Sequence, residues 1–303
     1  MIIYLRLKND ITAEKFHLLY STAFSAAGLA CFTGCLLLIP VNWGIEVYKW
    51  QLITAPVQKI SYWNATQSVY SGVCLGNLAP GRATEFLAKI IFFAPENRPR
   101  ITVLHFINGM FQLSITILAG LLAMLFHIGS FGKEHAWMAY LAGGLGVFML
   151  LALLLSVYKL DPILKFVSKK WMKENQIANF NYPFSIGLAL QLFCFSALRY
   201  TVFFCQMALL LYLFNRQHFD FFICSEIALY FLVTTIIPMI SVLEAPIRAA
   251  IALVVFRESG ISDTVLALAS VLIWLVNIIL PSLFGYIILL RQNFNFNIFK
   301  SKK

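Results

Sequence analysis

The sequence predicts an all-α polytopic membrane protein. Of its 303 residues, 60% are hydrophobic and only 12% are charged, and the mean hydropathy is +0.81. A soluble chain carries about 25% charged residues and could not hide this much apolar surface from water. The apolar residues also fall in runs of the roughly 20 residues that a membrane-crossing helix needs. We therefore expect about six full transmembrane helices, two broken or re-entrant segments, and one integral membrane domain over residues 1–303.

Six uninterrupted apolar runs predict the full transmembrane helices. Two further apolar segments contain proline and are predicted to be broken, and the sequence leaves open whether they cross the membrane or re-enter it. A pair of interrupted segments, one in each half of a chain, is typical of transporters built from inverted repeats around a binding site at the membrane midplane. An inverted repeat is therefore a hypothesis here. The full runs are 17–39, 101–128, 136–158, 184–214, 219–240 and 263–290, and the broken segments are 64–93 and 241–258.

The net charge of +10 predicts the orientation of the chain. Basic residues lie mainly between apolar runs, above all in the loop 159–183 and in the tail 291–303. Cytoplasmic loops of membrane proteins carry an excess of Lys and Arg, so we place both segments in the cytoplasm and the protein in the cytoplasmic membrane. The sequence contains no nucleic-acid-binding motif.

Residues 40–63 form a separate feature between two apolar runs. Trp43, Trp50 and Trp63 flank a short stretch that carries Glu46 and Lys49. Aromatic rings at headgroup depth with charges in water are typical of an interfacial helix. A headgroup-binding role is the alternative interpretation.

Cysteine and histidine patterns indicate no metal site or disulfide framework. The six cysteines lie in or beside apolar runs without a CxxC pair, and the five histidines form no HExxH or HxH set. Buried thiols commonly act as small apolar packing groups. Walker and GxSxG motifs are also absent from the sequence. The sequence therefore favours a non-enzymatic membrane protein without a cofactor.

The first candidate site is the break in segment 64–93. Pro80 and Gly81 interrupt the apolar run, and Arg82, Glu85 and Lys89 follow at spacings that place them on one helical face. A new helix N-terminus beside an arginine can receive a phosphate or a carboxylate. The alternative is an internal Arg–Glu pair that stabilises a kink.

A second proline break occurs around Pro238, followed by Glu244 and Arg248 at a spacing of four residues. A third feature is Arg199, which lies in the middle of an apolar helix. An arginine in that position needs a partner, and Glu85, Glu226, Glu244 or a bound anion could serve.

Polar residues on the predicted helices complete the candidate site. Gln112, Thr116 and Gln206 could line a shared interior, or they could form plain interhelical hydrogen bonds. The predicted lipid- or anion-binding residues are Asn77, Pro80, Arg82, Glu85, Gln112, Arg199, Gln206, Glu244 and Arg248.

Four segments, in order along the chain, resemble the flippase-like membrane family typified by the membrane domain of lysylphosphatidylglycerol synthase. The resemblance implies a protein that binds or moves lipid-linked anionic molecules. The soluble aminoacyl-transferase domain is not seen in this sequence, so lysine transfer is not assigned. The segments are Asn42-Trp43…Glu46…Lys49-Trp50; Gly72…Pro80-Gly81-Arg82…Glu85; Gln112…Thr116…Gly120 with Arg199-Tyr200…Gln206; and Ile237-Pro238…Glu244…Arg248.

The first functional hypothesis is a flippase that moves an anionic phospholipid or a polyprenyl-linked intermediate across the cytoplasmic membrane. On this hypothesis, replacing Arg82 or Arg199 by alanine abolishes translocation. The alternative is an accessory subunit for an envelope-biosynthesis or lipid-modifying enzyme. A lesser alternative is an integral-membrane transferase, for which Glu46, Glu85 or Glu244 would be the base.

Overall fold

Every regular element that the structure describes is helical, which confirms the all-α class. The structure is a computed structural model, and it describes residues 13–79, 82–127, 143–144, 146–148, 151–152, 155, 158–168, 182, 184–215, 220–237, 239 and 241–291. The helices are α1 (Ala13–Ala23), α2 (Ala26–Thr54), α3 (Tyr62–Gly76), α4 (Glu85–Ile90), a 3₁₀ turn (Pro95–Asn97), α5 (Arg98–His127), α6 (Leu160–Ser168), α7 (Ile186–Asn215), α8 (Phe221–Ile236), α9 (Ser241–Val255), α10 (Asp263–Trp274), a π-helical segment (Leu275–Ile279) and α11 (Leu280–Arg291).

Four helices are long and apolar enough to cross a membrane: Ala26–Thr54, Pro95–Met124, Ile186–Phe214 and Asp263–Arg291. In the most apolar windows of the first and third, only 22% and 17% of residues are buried inside the protein. So much exposed apolar surface is stable in hydrocarbon and not in water. The chain is therefore a multi-pass membrane protein by the length and composition of its helices.

The count of about six spans stays a prediction. The run 136–158 lies largely outside the described residues. The run 219–240 corresponds to α8, which has 16 residues and is about 24 Å long at the usual rise per residue.

Helix α2 is longer than the sequence predicts. Instead of ending at residue 39, it continues through Pro40 to Thr54. Proline removes one hydrogen bond from the helix ladder and crowds the carbonyl one turn earlier, but neighbouring packing can keep such a helix intact. Trp43 and Trp50 are consequently 2% and 0% exposed, so the interfacial interpretation is wrong for both. Trp63, at 58% exposed, remains compatible with it.

The segment 64–93 is broken between α3 and α4, whereas α9 is not. Pro80, Gly81 and Pro238 lie outside the described residues. Arg82 has a φ of +57°, in the left-handed region that side chains with a Cβ rarely occupy. Helix α9 runs without interruption from Ser241 to Val255 with Pro246 inside it, so the predicted segment 241–258 is not broken over those residues, and the break predicted around Pro238 is left untested.

The described residues belong to two compact units. Unit 1 comprises residues up to 42, 116–143 and 200–280, and unit 2 comprises residues 43–115, 144–199 and from 281 onward. The core of unit 1 includes Met207, Ile227, Tyr230, Ala252 and Leu266, all at most 1% exposed. The sequence predicts a single domain, and this stays a prediction.

In unit 2, Tyr182, which precedes α7, is hydrogen-bonded to the C-terminal part of α2. The Tyr182 backbone N–H donates to Asp161 Oδ1 at 2.6 Å, and the Tyr182 hydroxyl donates to the carbonyl of Ile53. Burial raises the pKa of the Tyr182 phenol. These contacts attach part of the predicted loop 159–183 to the helix that carries Glu46.

Candidate functional site

Glu46 lies at the centre of a buried group of charges in unit 2. Its Oε2 is 2.9 Å from Arg199 Nη1 and 3.6 Å from Lys49 Nζ. Its Oε1 accepts a hydrogen bond from Asn108 Nδ2 at 2.9 Å and lies 3.8 Å from Lys89 Nζ. One carboxylate thus faces three cations.

Lys89 joins this group to the break between α3 and α4. Its ammonium lies 2.7 Å from Glu85 Oε1, in the i, i+4 pairing that the spacing predicts. Lys89 therefore lies between two carboxylates, Glu85 and Glu46. We call Glu46, Lys49, Glu85, Lys89 and Arg199 the charge cluster.

Glycine allows the Lys89 side chain to lie directly against α3. A Cβ built on Gly72 would lie 2.7 Å from Lys89 Cγ and 3.2 Å from Glu85 Cγ, so a side chain larger than hydrogen would collide. Lys89 is 1% exposed and has little room to move. The small residue on α3 is thus a condition for placing α4 and its two charges against the cluster.

Two tryptophans of α2 form aromatic walls beside the cations. The Arg199 guanidinium lies 5.0 Å from the ring centroid of Trp43, and Lys89 Nζ lies 5.1 Å from that of Trp50. Such cation–π contacts are stronger when the pair is removed from water. Trp50 Nε1 donates to Ser68 Oγ at 3.0 Å, and Ser68 Oγ donates to the carbonyl of Lys89 at 3.0 Å.

Several buried polar atoms around the cluster have no hydrogen-bond partner among the described residues. Lys49 Nζ is among them: it is near Glu46 but too far for a hydrogen bond. An unpaired buried donor or acceptor is costly, so such atoms mark a place where a polar ligand can bind. The other atoms are Trp43 Nε1, His105 Nδ1, Asn108 Oδ1, Ser71 Oγ and Ser196 Oγ.

The charge cluster holds one more positive than negative charge. Lys49 and Lys89 are 0% and 1% exposed, and Arg199 is 9% exposed. Water therefore screens this excess weakly. The arrangement can attract an anion, and the Arg199 fork suits a phosphate or carboxylate group.

The partner of Arg199 differs from every partner that the sequence predicts. Glu85, Glu226, Glu244 and a bound anion were the candidates, whereas the structure pairs Arg199 with Glu46. Glu46 was assigned to an interfacial stretch because Pro40 indicated the end of the first helix. The spacing of Trp43, Glu46 and Trp50, three and four residues apart, is the signal for one buried helix face.

The remaining predicted residues of unit 2 lie around the break or on α5. Asn77 is the C-cap of α3, and its Nδ2 donates to Ser282 Oγ. Arg82 lies in the turn before α4 rather than on the helical face of Glu85 and Lys89. Gln112 Nε2 donates to the carbonyl of Ser196 at 3.4 Å, within one turn of Arg199. Pro80 lies outside the described residues.

The other three predicted residues belong to unit 1. Arg248 donates from Nε and Nη2 to Glu244 Oε1, at 3.0 and 2.8 Å. Gln206 accepts from Asn277 Nδ2 at 2.8 Å and donates to the carbonyl of Cys35 at 2.9 Å. Gln206 and Asn277 also border a cavity of about 280 Å³ with otherwise mostly apolar walls.

Comparison of the chain with known protein families, with curated proteins and with solved structures finds no match. The resemblance to the flippase-like family stays an expectation that rests on the quoted residues.

Proposed function

We propose that this protein binds the anionic headgroup of a lipid at the charge cluster and moves that lipid across the membrane. The observation that carries the proposal is the buried excess of cations: among the described residues, Lys49, Lys89 and Arg199 are paired with two carboxylates, Glu46 and Glu85. Buried charge is expensive in a membrane protein and is concentrated at substrate pathways.

Glu46 allows an anionic ligand to bind and leave, because it can pair with the cations when the ligand is absent. In the described structure it interacts with all three cations and compensates for much of their charge. A phosphate group entering beside Lys49 and Arg199 competes with Glu46 for the same donors. Because Glu46 compensates part of the cationic charge when the site is empty, the ligand can leave without exposing three uncompensated like charges.

The apolar exterior suits the rest of the lipid. Most residues in the apolar windows of α2 and α7, the helices that carry Glu46 and Arg199, are not buried within the protein. A hydrocarbon chain can therefore stay in the bilayer beside these helices while the headgroup contacts the cluster.

Headgroup-resolved analysis of the lipids that co-purify with the protein tests the binding step. Lys49→Met removes the excess positive charge while keeping an unbranched side chain. We expect the wild-type protein to retain anionic lipid and Lys49→Met to lose most of it. Arg257→Met is the matched control, because Arg257 is 72% exposed on its side chain and belongs to unit 1. Equal retention by wild type and Lys49→Met, at equal melting temperature, would overturn the proposal.

Translocation is measured with a fluorescent anionic lipid in proteoliposomes, by quenching the label in the outer leaflet. We expect wild type to expose the inner-leaflet label and Lys49→Met to do so much more slowly. Anionic lipid binding without any translocation by the reconstituted chain would favour the accessory-subunit alternative.

A further inference from the structure

A second buried acid, Glu226, lies in unit 1 and has no role in the charge cluster. It sits on α8 and is 1% exposed. Its Oε2 has no hydrogen-bond partner among the described residues. Ile223, Ile227 and Tyr230, within one turn of it on the same helix, belong to the apolar core of unit 1.

The charged groups that act on Glu226 in the described part of the chain are themselves acidic. They are Asp220, the N-cap of α8, and Glu258, which follows α9. Charged side chains on the other unit 1 segments packed with α8 include Glu244 and Arg248 of α9, Arg257 after α9, and Asp263 of α10. Neutral titratable groups in the same packing include Cys35 of α2, Tyr200 of α7 and Tyr230 of α8 itself. Arg248 is paired with Glu244 at 2.8 Å, and Arg257 lies 3.8 Å from Glu258.

An ionised carboxylate in this position would be buried among apolar groups, and no cation of the described residues is paired with it. Among the described residues, no group of three His, Cys, Asp or Glu side chains could hold a metal ion. A bound proton neutralises the carboxyl group and also makes it a hydrogen-bond donor.

We propose that Glu226 is a proton-binding site, and that exchange of this proton is coupled to the movement of the lipid. The coupling rests on the proposed function, whereas proton binding does not. The proton is then the ion that drives or accompanies transport.

Two exposed carboxylates lie near this site. Asp220 is exposed and lies six residues before Glu226, which is about 9 Å along a helix. Glu258 is 73% exposed on its side chain. Both can take up a proton from solvent and lie close enough to Glu226 to act on it electrostatically. The buried carboxyl is thus near the surface of unit 1 at this end of α8.

Infrared spectroscopy of the purified protein tests proton binding without any lipid assay. We expect wild type at neutral pH to show a carboxylic-acid C=O band that is lost as the pH rises. Glu226→Gln should lack this band, and it should fold because glutamine has the same shape and no charge. Glu258→Gln is the control and should keep the band. An acid band of equal intensity in wild type and Glu226→Gln would overturn the proposal.

Lipid translocation with and without an imposed proton gradient tests the coupling. We expect the gradient to change the wild-type rate several-fold and to leave the rate of Glu226→Gln unchanged. A wild-type rate that ignores the gradient contradicts the coupling. An absence of translocation in wild type contradicts the proposed function, and the infrared comparison still decides whether Glu226 holds a proton.

Discussion

Glu46 and Arg199, 153 residues apart in the chain, form a buried ion pair with 2.9 Å between Oε2 and Nη1. The pair links α2 to α7, the two long helices with the lowest internal burial. Both helices therefore expose mainly apolar side chains, yet each contributes a charge to the interior of unit 2. Removing one member of such a pair strands the other, so the stability of unit 2 depends on its charge balance.

We expect Glu46→Gln to be the most destabilising single change in the charge cluster. It leaves Lys49, Lys89 and Arg199 with Glu85 as the one remaining carboxylate in the cluster. Loss of one partner from a buried pair typically costs about 3–5 kcal/mol. The measurement is the free energy of unfolding in mixed micelles, with the exposed Glu258→Gln as control. Equal losses of unfolding free energy in the two variants would show that Glu46 does not stabilise the fold by pairing with the buried cations.

Replacing Arg82 separates the role of its backbone from that of its charge. A left-handed residue with a Cβ costs about 1–2 kcal/mol, so Arg82→Gly should be more stable than Arg82→Ala by about 1 kcal/mol. Both variants lack the guanidinium. If that charge is needed for flippase activity, as the sequence predicts, both variants lose translocation. Melting temperature and the fluorescent-lipid assay measure the two effects. Recovery of translocation in Arg82→Gly alone would mean that the turn, and not the charge, matters.

Gly285→Ala should destabilise unit 2 because there is no space for a methyl group. A Cβ at this position would lie 2.0 Å from the Tyr70 carbonyl oxygen, on the backbone of α3. Overpacking of this kind costs about 1–3 kcal/mol. Gly109→Ala is the matched control, because nothing lies within 4 Å of its Cβ position. We expect that control to be neutral or slightly stabilising in a thermal melt, and a similar loss in both variants would contradict the close approach.

Replacing Trp43 and Trp50 by phenylalanine should lower the free energy of unfolding by different amounts. Trp50→Phe removes the donor to Ser68 Oγ, whereas Trp43→Phe removes a buried N–H that has no partner among the described residues. A typical internal hydrogen bond contributes about 1 kcal/mol. We therefore expect Trp50→Phe to be less stable than Trp43→Phe by about that amount, measured by unfolding in denaturant. The reverse order would show that the Trp43 N–H is satisfied in the folded protein.

The helices could be predicted from the sequence where an apolar run is long enough to cross the membrane, because such a run must satisfy its backbone hydrogen bonds as a helix. The predicted 101–128 and 263–290 correspond closely to Arg98–His127 and Asp263–Arg291. Pro40 misled the prediction because local propensity indicated a helix end, whereas α2 continues through it to Thr54.

The i, i+4 pairs were also predictable, because helix geometry alone places such side chains together. Glu85–Lys89 and Glu244–Arg248 both form in the structure. The partner of Arg199 was not predictable in this way. A residue 153 positions away is selected by the packing of helices, and several glutamates were chemically equivalent candidates.

The sequence by itself determined the class of this protein, because 60% hydrophobic residues and long apolar runs are compatible only with a helical membrane chain. It also marked Arg199 and the Arg82–Glu85 break as costly, since charges in apolar segments need compensation. Only the tertiary structure placed Glu46 between Arg199, Lys49 and Lys89, and buried Glu226 with no cation of the described residues paired to it. The physical reason is that spacing along one helix determines which residues share a face, whereas charge compensation in a buried site depends on which other helices pack against that face.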